Sequence, residues 1–181
     1  MEDLIISHLI SCLSNRLEII EKNHGYLSHL IEKRYANEKL LQLEVMNIVS
    51  SLDSVIDYLP EKLYNDISTE KCDFWFRTDE IEYWIEIKTR PTNYRKLSHS
   101  KGISRGVDLV IDDINRLRRY CDKESKKFCI FAFYPLYGNS YPTFNRFHLS
   151  RISVTLGKEI KGPDIHFRVS DGFFDIYVVK V

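Results

Sequence analysis

The chain has 181 residues, of which 44% are hydrophobic and 29% are charged, with 26 Lys and Arg residues balanced by 26 Asp and Glu residues. This composition is typical of a folded globular domain and excludes a disordered protein. The zero net charge also excludes a protein that is basic over its whole surface. Any contact with nucleic acid therefore requires a local excess of positive charge.

Cysteine usage and apolar segments predict a cytoplasmic protein that does not contact membranes. The four cysteines form no CxxC pair, which favours reduced thiols over a zinc site or disulfides. The first residues lack a basic segment and a small-residue cleavage site, so we expect no signal peptide. No run approaches the roughly 20 apolar residues that span a bilayer.

The first 52 residues are helical by the spacing of their apolar residues. Leu9, Leu13 and Leu17 recur at helical spacing, which predicts a first helix that ends near His24 and Gly25. A second helical stretch covers residues 26–52, with an interruption near residues 35–37. The apolar faces fit packing on the chain's own core or a homodimer interface formed by these N-terminal helices.

After Asp53 the apolar pattern changes to the alternation that is typical of strands. Strands are predicted at residues 54–59, Lys71–Arg77, 81–88, 127–134, Ile165–Val169 and 173–181, with a helix over residues 107–121 and a loop over residues 137–149. The order predicts a single α/β domain. Its parts are an N-terminal helical extension (1–36), a core (37–134), and a C-terminal loop and β-hairpin (135–181).

The segment from residue 72 to residue 88 carries the chemistry. Alternation places Glu86 and Lys88 on one face of their strand. A hairpin centred on residues 79–80 opposes Asp73 to Glu86, with Cβ atoms about 5 Å apart. Because two neighbouring carboxylates repel in a covered cleft, a divalent cation bound by oxygen ligands would offset the repulsion. Lys88 would then orient or activate a water molecule beside the metal.

This arrangement resembles the PD-(D/E)xK nuclease superfamily, although Cys72 stands where the family name has a proline before Asp73. The resemblance covers residues 37–134 and implies a restriction-endonuclease-like αβββαβ core, a central mixed sheet flanked by helices. It implies that Asp73, Glu86 and the main-chain carbonyl of Ile87 bind Mg²⁺, or Mn²⁺ in its place, and that Lys88 assists the attacking water. The expected function is Mg²⁺-dependent hydrolysis of phosphodiester bonds in DNA, with RNA as a second substrate class.

The same resemblance implies a further catalytic glutamate on the helix before the strands. Glu44 lies at the edge of the apolar face of that helix, and Glu38 lies near its middle. Glu38 is equally explained as an acidic residue that stabilises a helix start capped by Asn37. Both candidates stay open on the sequence alone.

Positive charge is concentrated after the motif. Residues 90–127 contain eleven Lys or Arg residues against five Asp or Glu residues. Such an excess predicts contacts with a phosphate backbone, and it equally fits a solvated basic face that an Asp112–Arg116 pair partly neutralises. The candidate contacts are Arg90, Arg95, Lys96, Lys101, Arg105, Arg116 and Arg119.

Two other functions compete with a nuclease. The first is an inactive nuclease-fold protein that binds nucleic acid or another protein. The second is a structural protein in which Asp73, Glu86 and Lys88 form an exposed ladder of ion pairs. Trp75 and Trp84 on the same face argue against exposure, and a covered face makes an unligated carboxylate pair costly.

Overall fold

A six-stranded mixed β-sheet with helices on both faces organises the chain in the computed structural model, which describes residues 3–33, 38–65, 69–92, 101–169 and 172–181. The helices are α1 (Leu4–His24), α2 (Tyr26–Lys33), α3 (Glu38–Val49), α4 (Lys101–Tyr120), α5 (Tyr141–Phe144) and α6 (Ser150–Leu156), with a π-helical segment at Asn145–Leu149. The strands are β1 (Asp57–Leu63), β2 (Lys71–Arg77), β3 (Glu82–Pro91), β4 (Lys126–Leu136), β5 (Ile165–Val169) and β6 (Gly172–Lys180).

The strands lie in the order β1-β2-β3-β4-β6-β5. The first three strands form an antiparallel meander, and β4 runs parallel to β3 after the crossover through α4. β6 is antiparallel to both β4 and β5. The predicted α/β class is confirmed, and the elements from α3 to β4 follow the predicted αβββαβ order.

Two apolar layers cover the two faces of the sheet, because successive strand residues point in opposite directions. On one face, α1 and α3 pack on a layer that includes Phe74, Phe76, Ile85, Ile87 and Ile130. On the other face, α4 and α6 pack on a layer that includes Trp75, Trp84, Cys129, Phe131 and Tyr177. Because they alternate with Ile85 and Ile87 along β3, Glu86 and Lys88 lie on the α4 face with Trp84.

The apolar stripe of helix α1 packs against the chain's own core. Leu9, Leu13 and Leu17 are buried against the first layer. Asp3 caps the start of the helix by accepting from the Ile6 N–H, and Gly25 ends it with φ +56°. Since the stripe lies in the chain's own core, it gives no support to a homodimer. A homodimer through these helices therefore stays a prediction. Among the described helices, none has both the length and the apolar character needed to cross a bilayer.

The loop predicted over residues 137–149 is confirmed only for residues 137–140 and is wrong beyond them, because the chain is helical from Tyr141 through Leu156. Pro142 falls in the first turn of α5, where a missing N–H costs no hydrogen bond. Phe144, Leu149 and Ile152 are buried on the α4 face. The proline that suggested a loop instead marks the start of a helix.

Strand β1 begins later than predicted, at Asp57 rather than residue 54. The chain first makes turns after α3, with the Leu52 N–H donating to the Val49 carbonyl. β1 is an edge strand and almost wholly exposed, so its sequence lacks the alternation that locates a buried strand. Pro60 is tolerated there, since an edge strand need not donate on its free side.

Ile130 tests the contribution of the central strand to stability. It is fully buried in β4 between β3 and β6. We expect Ile130→Ala to lower the free energy of unfolding in urea by about 2–5 kcal/mol, because it removes buried methyl groups and leaves a cavity. Val154→Ala, at a position 81% exposed, is the control and should change it little. Equal effects would contradict the assignment of β4 to the core.

Candidate metal and catalytic site

The predicted hairpin register is confirmed, with Trp75 opposite Trp84 and Phe74 opposite Ile85. Continued by one residue beyond the paired positions, this register would oppose Asp73 to Glu86, where β2 and β3 no longer pair with each other. There the Asp73 Oδ2 accepts a hydrogen bond from the Ile87 N–H at 2.7 Å. A side-chain carboxylate thus occupies the position where the ladder between the two strands ends.

Helix α3 holds the main chain of Asp73. The Gln42 side-chain amide donates to the Asp73 carbonyl. Lys39 in turn donates to Gln42 Oε1 at 2.8 Å and to Glu61 Oε1 at 2.6 Å. Glu61 on β1 has φ +54°, a left-handed conformation unusual for a side chain other than glycine. α3 and β1 together therefore hold the main chain from which the Asp73 carboxylate extends.

Glu86 is 1% exposed, and a hydroxyl group and a guanidinium group approach the same carboxylate oxygen. The Tyr64 hydroxyl donates to Glu86 Oε1, and the Arg116 Nε lies 3.5 Å from that oxygen. Tyr64 itself stacks between Trp84 and Tyr120, with ring centroids 5.5 and 5.4 Å away. Both of these contacts are made by Oε1.

The buried Glu86 carboxyl group favours a proton. Burial raises its pKa to about 9, and the charges of Asp73 and Asp113 and a hydrogen bond with Asp73 add to the rise. The hydrogen bond from Tyr64 lowers it. At neutral pH Glu86 is therefore protonated and hydrogen-bonded to Asp73, as is usual when one of two adjacent carboxyl groups cannot ionise.

Lys88 lies between two carboxylates from different helices. Its Nζ is 3.3 Å from Glu38 Oε1 and 3.6 Å from Asp113 Oδ2. Burial lowers the pKa of Lys88, but the charges of Asp113, Glu38 and Asp73 outweigh burial and raise it above its usual value. Lys88 therefore stays an ammonium ion.

Asp113 is a site residue that the sequence analysis did not single out. It is 2% exposed on α4 and pairs with Arg116 as well as Lys88. Burial raises its pKa to about 6, against the lowering effects of Lys88 and Arg116. One signal was available, since Asp113 lies on the same helical stripe as the buried Val110 and Leu117. An acidic residue on an apolar stripe is a hint of function.

Tyr64 and Gln42 were also missed. Tyr64 follows the end of β1 and reaches Glu86 only through tertiary packing, so no local pattern marks it. Gln42 is polar on a helix whose neighbours Leu41 and Val45 are buried, which is the same kind of signal as for Asp113. Cross-strand and helix-stripe patterns thus identify part of this site, and side chains from irregular segments escape them.

The structure brings four of the five predicted catalytic side chains together. Asp73, Glu86, Lys88 and Glu38 meet where β2 and β3 diverge, with the Ile87 main chain among them. Glu44 is buried as well, but its carboxylate pairs with Arg16 of α1. Of the two helical glutamates, only Glu38 contacts Lys88.

The predicted nucleic-acid contacts are in different environments. Arg105 and Arg119 are exposed on α4. Arg90 is half-buried, and its stem lies so close to Gly106 that a Cβ there would be 3.0 Å from Arg90 Cγ. Arg116 points into the site and pairs with Asp113 rather than with Asp112 as expected. Arg95, Lys96 and the Lys101 side chain lie outside the described residues.

The donor set fits a divalent cation by its charge and its oxygen chemistry. When all groups are ionised, four carboxylates face two cations, Lys88 and Arg116. The buried Asp113 Oδ2 accepts no hydrogen bond. Carboxylate oxygens are ligands that Mg²⁺ prefers. In the described part of the chain, however, no group of three His, Cys, Asp or Glu side chains is arranged to hold a metal. Main-chain or water oxygens would therefore complete the ligand set.

Comparisons with known proteins identify no relative. No protein-family model matches the chain, and no curated protein or solved structure matches it. The function is therefore argued from the geometry and charges of the site.

Glu86→Gln tests the burial of an ionisable group. Because the folded state raises the Glu86 pKa from 4.5 to about 9, the metal-free protein loses stability as the pH rises between these values. We expect Glu86→Gln to flatten this loss and to stabilise the protein at pH 8 by on the order of 2 kcal/mol. Urea unfolding at pH 5 and pH 8 with a chelator measures it.

The matched control for that measurement is Glu80→Gln, on the exposed turn between β2 and β3. It removes a carboxylate that is not buried and should leave the pH dependence of the wild type in place. If Glu86→Gln kept the wild-type pH dependence too, the raised pKa of the buried Glu86 carboxyl group would be refuted.

Proposed function

We propose that the protein is a Mg²⁺-dependent nuclease of the PD-(D/E)xK type that hydrolyses phosphodiester bonds of DNA, with RNA as the alternative substrate. Its restriction-endonuclease-like core would be formed by α3, β1, β2, β3, α4 and β4. One observation carries the proposal. Asp73 and the buried Glu86 meet where β2 and β3 cease to pair, and each has one oxygen held by a protein donor.

Asp73 and Glu86 would hold the metal ion, with the Ile87 carbonyl as the main-chain ligand. The hydrogen bond between the two carboxyl groups supports this role, because a cation that displaces the proton of Glu86 relieves the same repulsion. When bound, a divalent cation acts as a Lewis acid that stabilises negative charge developing on the phosphate. Mn²⁺ would serve in place of Mg²⁺.

Lys88 would orient the attacking water by donating a hydrogen bond. Its raised pKa makes it a poor proton acceptor, so it would not act as the general base. Glu38 and Asp113 hold the ammonium group from two sides, which limits its rotation. Glu38 would thus be the helical carboxylate of the site, and its role would be to position Lys88.

The exposed arginines of α4 would contact the phosphate backbone. Arg105 and Arg119 carry the charge on the solvent side of the helix that covers the site, and such contacts position a nucleic acid without reading its sequence. Arg116 is committed to Asp113 and Glu86. We therefore assign Arg116 to the site and not to the binding surface.

A nuclease-fold protein that binds nucleic acid without cleaving it is the second candidate. It is favoured by the lack, among the described residues, of a three-residue metal group, and by a site whose charges already pair with one another. The two candidates differ in one respect, since only the nuclease requires a divalent cation for its activity.

Asp73→Asn and Lys88→Ala separate metal binding from the chemical step. We expect Asp73→Asn to abolish Mn²⁺ binding measured by calorimetry, because it removes a charged ligand. Lys88→Ala should bind Mn²⁺ but cleave about 10²-fold or more slowly, since it removes a group that positions the reaction. Cleavage is measured on a short DNA duplex, a single DNA strand and RNA.

Asp79→Asn, on the exposed β2–β3 turn, is the matched control and should behave as wild type. Wild-type cleavage by either site variant would remove that residue from the mechanism. Nucleic-acid binding by the wild type with no metal binding and no cleavage of any of the three substrates would favour the second candidate.

Arg105→Ala and Arg119→Ala test the binding surface. Each should weaken DNA binding and reduce the slope of log affinity against log salt concentration by about one, because one phosphate contact is lost. Fluorescence anisotropy at several salt concentrations measures the slope, with Asp73→Asn as background to prevent cleavage. Lys22→Ala, on the exposed side of α1, should leave the slope unchanged. An unchanged slope in both arginine variants would place the DNA elsewhere.

A further inference from the structure

We propose that Tyr64 is a positioning residue that holds Glu86 by its Oε1 and leaves Oε2 directed to the metal ion. This inference rests on the proposed function and assigns a role to a residue outside the three-residue motif. Tyr64 follows β1, and its hydroxyl donates to Glu86 Oε1 from a buried position, with the residue 5% exposed.

The Tyr64 ring has little freedom to turn away from Glu86. It stacks on Trp84 with an interplanar angle of 12° and on Tyr120 with an angle of 29°. Its main-chain N–H donates to the Glu70 carbonyl at 3.2 Å, which closes the segment between β1 and β2. Sheet and helix packing therefore aim the hydroxyl at one oxygen of the carboxylate.

Arg116, on helix α4, approaches the same oxygen of Glu86. Its Nε lies 3.5 Å from Glu86 Oε1, and its guanidinium is fixed by Asp113. Asp73 is likewise held through one oxygen, because its Oδ2 accepts a hydrogen bond from the Ile87 N–H. Each of the two proposed metal ligands is thus anchored through one oxygen, which favours coordination through the other.

Anchoring of this kind has a measurable effect on a metal site. Hydrogen bonds to a ligating side chain fix its orientation, and their loss typically weakens metal binding 10- to 100-fold. A fixed ligand also loses less side-chain freedom on binding. If the Tyr64 hydroxyl only satisfied a buried carboxyl group, its removal would change the stability of the fold and leave metal affinity unaltered.

The test compares Tyr64→Phe with Tyr120→Phe in the full chain. Both remove one hydroxyl from the same aromatic stack, but only Tyr64 donates to Glu86. Mn²⁺ is titrated by calorimetry and by tryptophan emission, since the only two tryptophans, Trp75 and Trp84, lie on this face. We expect about 10-fold or greater weakening in Tyr64→Phe and wild-type affinity in Tyr120→Phe.

Wild-type Mn²⁺ affinity in a folded Tyr64→Phe variant would overturn the inference while the proposed function stands. A wild type that binds no Mn²⁺ would overturn the proposed function, and the inference with it. Should Tyr64→Phe fail to fold, the inference is tested on the wild type instead, by recording its infrared carboxylate bands before and after metal is added. Bands of one-oxygen coordination support the anchoring of Glu86, and bands of two-oxygen coordination overturn it.

Discussion

The contact between the buried carboxyl group of Glu86 and the half-buried one of Asp73 is the constraint on which the site depends. Asp73 and Glu86 come from strands that cease to pair at this point. The end of the β2–β3 pairing and the pair of carboxyl groups are therefore one feature. Carboxylates in such a place repel unless a proton or a cation lies between them. The fold therefore tolerates at its centre an arrangement that costs stability, which is more typical of binding and catalytic sites than of structural ones.

The surrounding residues contact the charged groups of the site in two separate sets. Tyr64 and Arg116 engage one oxygen of Glu86, whereas Glu38 and Asp113 engage Lys88. Asp113 links the two halves, since it contacts both cations. Each charged group thus has a defined neighbour, and a divalent cation would neutralise the negative charge that appears when Glu86 gives up its proton.

Local patterns were sufficient for the strands at the centre of the sheet and not for its margins. Alternation located β2 and β3, and the turn at residues 79–80 set their register, because a slip by one residue would move every side chain to the opposite face of the sheet. The exposed β1 has no such signal, and Pro142 obscured the helices after β4. Within the site, the motif residues were accessible to sequence reasoning. The choice of Glu38 over Glu44 depended on which side of α3 faces α1, which only packing determines.

The groups of the site come from five places in the chain, between Glu38 at the start of α3 and Arg116 in α4. None of these segments contains a working set by itself. A chain that is still being synthesised lacks Asp113 and Arg116 until α4 has been made and has packed on the sheet. Any activity at this site would therefore begin only when the domain has closed, and a fragment that ends before α4 would lack two of the site's charged groups.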